Sequence, residues 1–166
     1  MDKRTWTLIL ACFLMACPVS AEEKGTFDMT SSWIRDYDMM KHLKREITVG
    51  TLVGTTTILE SSGGPFVAGN HNLSRCLVYA SKSEEFYLLD SWCIITDKDK
   101  DKLYIFAGRL KGDTEVGGGG KGRWFLQGGT GKYSGISGEC DYDVEYLGND
   151  RVINMTDGCT WQKPGS

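Results

Sequence analysis

From Arg45 onward the chain repeats one texture. Runs rich in Val, Ile, Thr, Leu and aromatic residues are each stopped by a turn signal before a helix could develop. Asn72 to Ala80, Glu85 to Thr96, Lys102 to Leu110, Gly122 to Gln127, Ser134 to Tyr146 and Arg151 to Gln162 read as strands. Ser81-Lys82-Ser83, Asp97 to Asp101, Gly112-Asp113 and Leu147-Gly148-Asn149-Asp150 separate them. Glu46 to Leu59, interrupted by Gly50 and Gly54, reads as one bent strand or a hairpin, and Ser61-Ser62-Gly63-Gly64-Pro65 ends it. Seven or eight strands with short links and no helix between them predict an antiparallel meander that closes into a barrel or a sandwich. Before Arg45 the pattern differs. Trp33, Ile34, Tyr37, Met40 and Leu43 recur at helical spacing behind Ser31 or Ser32 as a cap, although Thr26, Phe27 and Trp33 would also suit an edge strand. The spacing predicts a short helix or irregular segment, making 22–44 a lead-in to a barrel domain over 45–166.

The first 21 residues have a basic start at Lys3 and Arg4, an apolar run from Trp6 to Ala16 and a small-residue site at Val19-Ser20-Ala21. That pattern predicts a secretory signal peptide cleaved after Ala21, leaving a soluble, secreted or periplasmic protein. The competing reading is a lipoprotein anchored at Cys17, to which Met15 is poorly suited. Without Asp2, Lys3 and Arg4, the 19 basic and 22 acidic residues fall to 17 and 21. A net charge near −4 offers no case for nucleic acid or an anionic membrane. No later apolar run reaches the ~18 residues of a spanning helix.

Cys76, Cys93, Cys140 and Cys159 remain after cleavage, and an even count in an oxidising compartment predicts two disulfides. Of the three connectivities, Cys76–Cys93 with Cys140–Cys159 is preferred, because it joins strands adjacent in sequence. A four-thiolate zinc site lacks any Cys-x-x-Cys pair. Asp97, Asp99 and Asp101 begin like a calcium loop, but Lys102 and Gly108 stand where Gly and Glu are required. That turn therefore reads as a solvated hairpin balanced by Lys98, Lys100 and Lys102. No metal is expected.

Gly128-Gly129-Thr130-Gly131-Lys132-Tyr133-Ser134-Gly135-Ile136-Ser137-Gly138 places five glycines in eleven positions between two predicted strands. A P-loop needs Ser or Thr after Gly-Lys. Tyr133 follows Lys132, and Gly122 follows Lys121 after the run Gly117 to Gly120. The segment, preceded by Gly-x-Trp-x-Leu at Gly122 to Leu126, resembles the hallmark of allene oxide cyclase-like barrel proteins, and dirigent proteins and bacterial spirocyclases carry a related Gly-Gly-Thr-Gly. The acidic turn Thr96 to Leu103 is similar to an Asp-rich hairpin of exported bacterial members. The resemblance covers about Trp92 to Trp161. It implies an all-β, eight-stranded antiparallel barrel of calycin type, often a dimer or trimer, with an apolar lumen open at one end. It also implies positioning of a substrate in a dry cavity, with no cofactor. Gly128, Gly129, Thr130, Gly131, Tyr133, Gly135 and Gly138 mark the fold and take no catalytic role from it.

Candidate chemistry is sparse. In the Glu85 to Thr96 strand, Phe86, Leu88, Asp90, Trp92 and Ile94 share one face. If that row lines the lumen, Asp90 is a carboxylate in apolar surroundings suited to proton transfer. Arg75 and Tyr79 share a face with Leu73 and Leu77 on the neighbouring strand and join the same expected cavity, as does Trp124. Trp33 and Trp161 read as core. His42 and His71 lack a matching carboxylate motif, and no Gly-x-Ser-x-Gly elbow occurs. Asn72 and Asn154 head glycosylation sequons expected to stay unmodified. The leading expectation is an exported barrel binding a small, largely apolar ligand in its lumen. The alternatives are a cyclase or isomerase of that fold and a structural or interaction protein with a filled barrel.

Overall fold

A computed structural model describes residues 22–110, 112–113 and 119–164. The expected signal segment, Cys17, and Gly117 and Gly118 of the Gly117 to Gly120 run lie outside the described residues. Eight strands follow one another: β1 (Glu23–His42), β2 (Arg45–Ser61), β3 (His71–Lys82), β4 (Tyr87–Thr96), β5 (Lys102–Leu110), β6 (Gly120–Gly129), β7 (Ser137–Leu147) and β8 (Arg151–Lys163). Each pairs antiparallel with the next, and β1 closes on β8 to complete the barrel. Closure removes the free sheet edges that a meander would otherwise expose. No helix among the described residues is long and apolar enough to cross a membrane.

The helix or irregular segment expected over Met29 to Lys44 is a strand, and residues 22–44 are part of the barrel. Phe27, Met29, Ser31 and Trp33 alternate into the interior at period 2, and pairing to both β2 and β8 overrides the helical spacing of Trp33, Ile34, Tyr37 and Met40. Glu46 to Leu59 is one strand, closely applied to β1. A Cβ at Gly54 would overlap the carbonyl of Ser32, so only glycine allows the two backbones this approach.

The interior is filled from both ends of the barrel. At the end formed by the β2–β3, β4–β5 and β6–β7 connections, Phe66 folds in from the β2–β3 loop. It stacks on Phe27 with centroids 3.7 Å apart, and Tyr133 and Trp161 lie against it at 5.7 and 6.2 Å. Nearer the other end, Trp124 lies between Trp33 and Tyr142, and the Trp33 Nε1–H donates to Ser74 Oγ at 2.6 Å. Cys76–Cys93 joins directly opposed residues of β3 and β4, and Cys140–Cys159 joins β7 to β8. These bridges close segments of 17 and 19 residues, which corresponds to about 3 kcal/mol of lost unfolded-chain entropy each.

Candidate functional site

The structure turns most of the expected cavity residues outward. Arg75, Leu77 and Tyr79 of β3, Phe86 at the turn before β4, and Trp92 and Ile94 of β4 are all exposed, and Leu88 and Asp90 are half-buried on the same outer side. Only Trp124 of that set faces the lumen, at 2% exposure. Alternation separates two faces without saying which is inside. The inner faces of β3 and β4 carry Asn72, Ser74, Cys76 and Val78, and Leu89, Ser91, Cys93 and Ile95. On β3 and β4 the interior side carries mostly small side chains and a disulfide, and the bulkier Leu77, Tyr79, Trp92 and Ile94 take the convex surface. Cysteine is among the most consistently buried residue types, so the phase of Cys76 and Cys93 was the signal that identifies the inner row. Asp90 is therefore not a carboxylate in an apolar lumen. It stands opposite Tyr79 and Gly108 on the outer wall.

That outer wall is the first candidate site. Leu77, Trp92, Phe106 and Phe125 stand in register across β3 to β6. Ring centroids are 5.7 Å apart for Trp92–Phe106 and 6.2 Å for Phe106–Phe125. Leu77 is 56% and Trp92 51% exposed. Beside this row a dish of about 460 Å³ is lined by Arg75, Leu77, Trp92, Ile94 and Tyr104. A second hollow of about 570 Å³ lies over Gly108, between Asp90 and Phe106 on one side and Arg123, Phe125 and Asp141 on the other.

The lumen is the second candidate. Its free space is about 40 Å³, bounded by Trp33, Tyr37, Arg109, Trp124, Tyr142 and Asn154. A site for a drug-sized ligand needs roughly 300–1,000 Å³, whereas a single water needs only about 10–15 Å³. Arg109, an inward-facing cation at 2% exposure, donates to the carbonyls of Lys121, Asp113 and Gly119 at 2.9, 3.0 and 2.6 Å. The Asn154 Oδ1 is buried with no hydrogen-bond partner among the described residues. Burial pushes the Tyr37 phenol above its ordinary range, and the neighbouring Tyr146 adds to that shift. Burial likewise raises Tyr142 and Tyr87, against the opposing pull of the Arg109 guanidinium. The upper lumen thus holds neutral phenols around one well-anchored cation.

The opposite end explains the glycine motif. Lys102 N–H donates to Thr130 Oγ1 at 2.9 Å, and Thr130 N–H donates back to the Lys102 carbonyl at 2.8 Å. Gly131 has φ +51 and lies against the Asp101 carboxylate, where a Cβ would collide. Lys132 reaches Asp97 Oδ2 at 2.6 Å and Asp99 at 3.3 Å, and its own N–H donates to Asp101. The Asp97 turn is therefore not a solvated hairpin balanced by its own lysines. Lys98 does pair with Asp99, but Asp97 is buried and Lys132 of the glycine segment is its counter-ion. Burial alone would raise the Asp97 carboxyl, but Lys132 and the N–H groups of Asp101 and Asp99 outweigh it and hold it below the usual carboxylate range. Burial similarly opposes the charge on Lys132, and Asp97, Tyr133 and Asp99 together leave it above the ordinary lysine value. Burial also pushes Tyr133 up to about 12. This cluster joins two turns, with Asp97 buried at its centre.

The remaining candidates separate. His42 is exposed, and His71 pairs through Nδ1 with Thr57 at the surface, 2.8 Å away. Asn72 and Asn154 are buried, out of reach of glycosylation in the folded barrel. No group of His, Cys, Asp and Glu suited to a metal ion occurs among the described residues.

No family model matches the sequence, and no curated protein matches it. Among solved structures, the pterocarpan synthase dirigent protein GePTS1 is similar, with a TM-score of 0.49, 11% sequence identity, and coverage of 96% of this chain and 99% of that chain. A likeness of that degree carries no argument about activity, and it lends nothing to an allene oxide cyclase assignment or a bacterial source. The closed eight-stranded barrel rests on its own strand pairings.

Proposed function

We propose that this chain is an exported barrel that works through its outer wall, docking a second copy of itself, as a dimer or trimer, over the β3–β6 face. The observation that carries the reading is the row Leu77, Trp92, Phe106 and Phe125, large apolar side chains held in register on the convex surface. Contiguous exposed apolar area of this kind marks interaction surfaces in soluble proteins. Aromatic residues are enriched in the cores of such interfaces and dominate their energetics. Export accords with the two disulfides, which persist in oxidising compartments.

A second reading keeps the lumen as a small-ligand site. The Asn154 Oδ1, buried without a partner among the described residues and lining the same small void as Arg109 and Tyr142, favours it, since that oxygen calls for a hydrogen-bond donor. Anything larger than a few waters would require Trp33 or Tyr37 to move. Native mass spectrometry separates the readings in one experiment. The outer-wall reading predicts a mass of two or three chains with no added small molecule. A monomer carrying a small molecule would transfer the function to the lumen, and a bare monomer at every concentration would contradict both.

A further inference from the structure

The β1–β2 hairpin carries features that neither barrel closure nor the outer wall uses. β1 pairs with β8 only as far as Ile34, with one further bond from Arg35 N–H to the Asp150 carbonyl. Beyond it, residues 36–42 pair with β2 alone. At about 3.3 Å per residue the hairpin overhangs the β7–β8 turn by roughly 20 Å. Its tip is Leu43-Lys44, and Leu43 has φ 56 and is 92% exposed. Of the two loop residues only Leu43 has positive φ, and hairpins of that form favour glycine there. A leucine in this position bears backbone strain and gains no burial in return. Met39 and Met40 are also exposed just behind it. Around this apolar apex, Lys41, Lys44 and Arg45 are exposed, with no carboxylate between residues 41 and 45. The whole chain, by contrast, carries a net charge of −3. The acids nearest the tip all lie behind it: Asp38 beside Met39, Glu46 opposite Lys41, and Glu84 and Glu85 on the adjoining β3–β4 turn, which also carries Lys82, so the apex itself is basic while its base is charge-balanced.

We propose that this tip is a membrane-docking wedge. Leu43, with Met39 and Met40, enters the interfacial region of an anionic lipid surface, and Lys41, Lys44 and Arg45 meet the headgroups. Apolar insertion combined with basic flanks is the physical recipe for reversible interfacial binding. Each cation near such a surface contributes roughly a fivefold gain in affinity. The three cations sit where the whole-chain charge conceals them, so the acidic balance of the sequence does not argue against this local contact.

The test is flotation of the purified protein with vesicles of phosphatidylcholine containing about 30% phosphatidylglycerol, compared with pure phosphatidylcholine. The wild type should float with the anionic vesicles, and raised salt should weaken it. Leu43→Gly should lose roughly tenfold or more in binding while its thermal midpoint stays level or rises, because glycine accepts the positive φ without strain. Lys44→Glu should lose binding without a change in fold. No flotation with anionic vesicles, equal flotation of Leu43→Gly, or equal binding to neutral vesicles would overturn the proposal. Cross-linking of the tip to a protein in the absence of flotation would assign it to a protein partner and overturn it likewise.

Discussion

At the end of the barrel where the β2–β3, β4–β5 and β6–β7 connections gather, polar groups find partners from other turns. Asp97, Lys132, Thr130 and Asp101 interlock across two connections over the packed rings of Phe27, Phe66, Tyr133 and Trp161. At the opposite end Arg109 is well anchored, yet Asn154 Oδ1 and the Ser81 hydroxyl are buried without partners among the described residues, and β1 runs on past the end of β8. The difference shows where the sequence has secured the structure. One end is fixed by specific polar contacts between distant segments, although the Trp161 Nε1–H there is also buried without a partner among the described residues, and the other combines unsatisfied groups with a small void and an exposed hairpin tip. Unsatisfied buried groups lower stability, so they are tolerated where rigidity matters least or where something else meets them.

Breaking the interlocked end should have the larger effect. Lys132→Met removes the counter-ion of a buried carboxylate and should cost about 3 kcal/mol in denaturant unfolding at neutral pH. The pH profile tests the same pair. Asp97 has a lowered carboxyl pKa in the fold, so its contribution is full above the unfolded value of about 3.9 and is lost as pH falls through the folded value. Lys132 is raised, so its contribution is full below about 10.4 and is lost as pH climbs through its folded value. Wild-type stability should therefore hold between these limits and fall in acid, and Lys132→Met should show a flatter acid limb. An unchanged acid limb would show that Asp97 is not the group being titrated.

At the other end the sign should reverse. Asn154→Val removes an oxygen that has no partner among the described residues and keeps similar bulk, so stability should be unchanged or rise by about 1 kcal/mol. A loss of more than about 1 kcal/mol would mean that Asn154 already holds a bound partner, which would favour the lumen as a ligand site.

Much of the fold was legible in the sequence. Val, Ile and Thr runs between turn signals located β3 to β8 to within a few residues, and cysteine order indicated both disulfides. β1 is not legible locally, because Trp33, Ile34, Tyr37 and Met40 fit a helical stripe and only pairing with β2 and β8, distant in sequence, selects the strand. The site was less legible. Phe86, Leu88, Trp92 and Ile94 are apolar, which suggests the interior, but aromatic rings from β1, the β2–β3 loop, β6, β7 and β8 already crowd it, and β3 and β4 turn Ser74, Cys76, Ser91 and Cys93 inward instead. The pairing of Lys132 with Asp97 joins positions 35 apart and follows from no local pattern.

If the wall presented by Trp92, Phe106 and Phe125 is an interface between copies of this chain, sedimentation equilibrium of the wild type and Trp92→Lys will show it. Trp92 is half exposed and supports no interior packing, so the variant should fold with an unchanged thermal midpoint. The wild type should be dimeric or trimeric and the variant weakened at least roughly tenfold in association, as expected when a charge replaces an aromatic anchor. A monomeric wild type, or a variant that assembles as well as the parent, would contradict it.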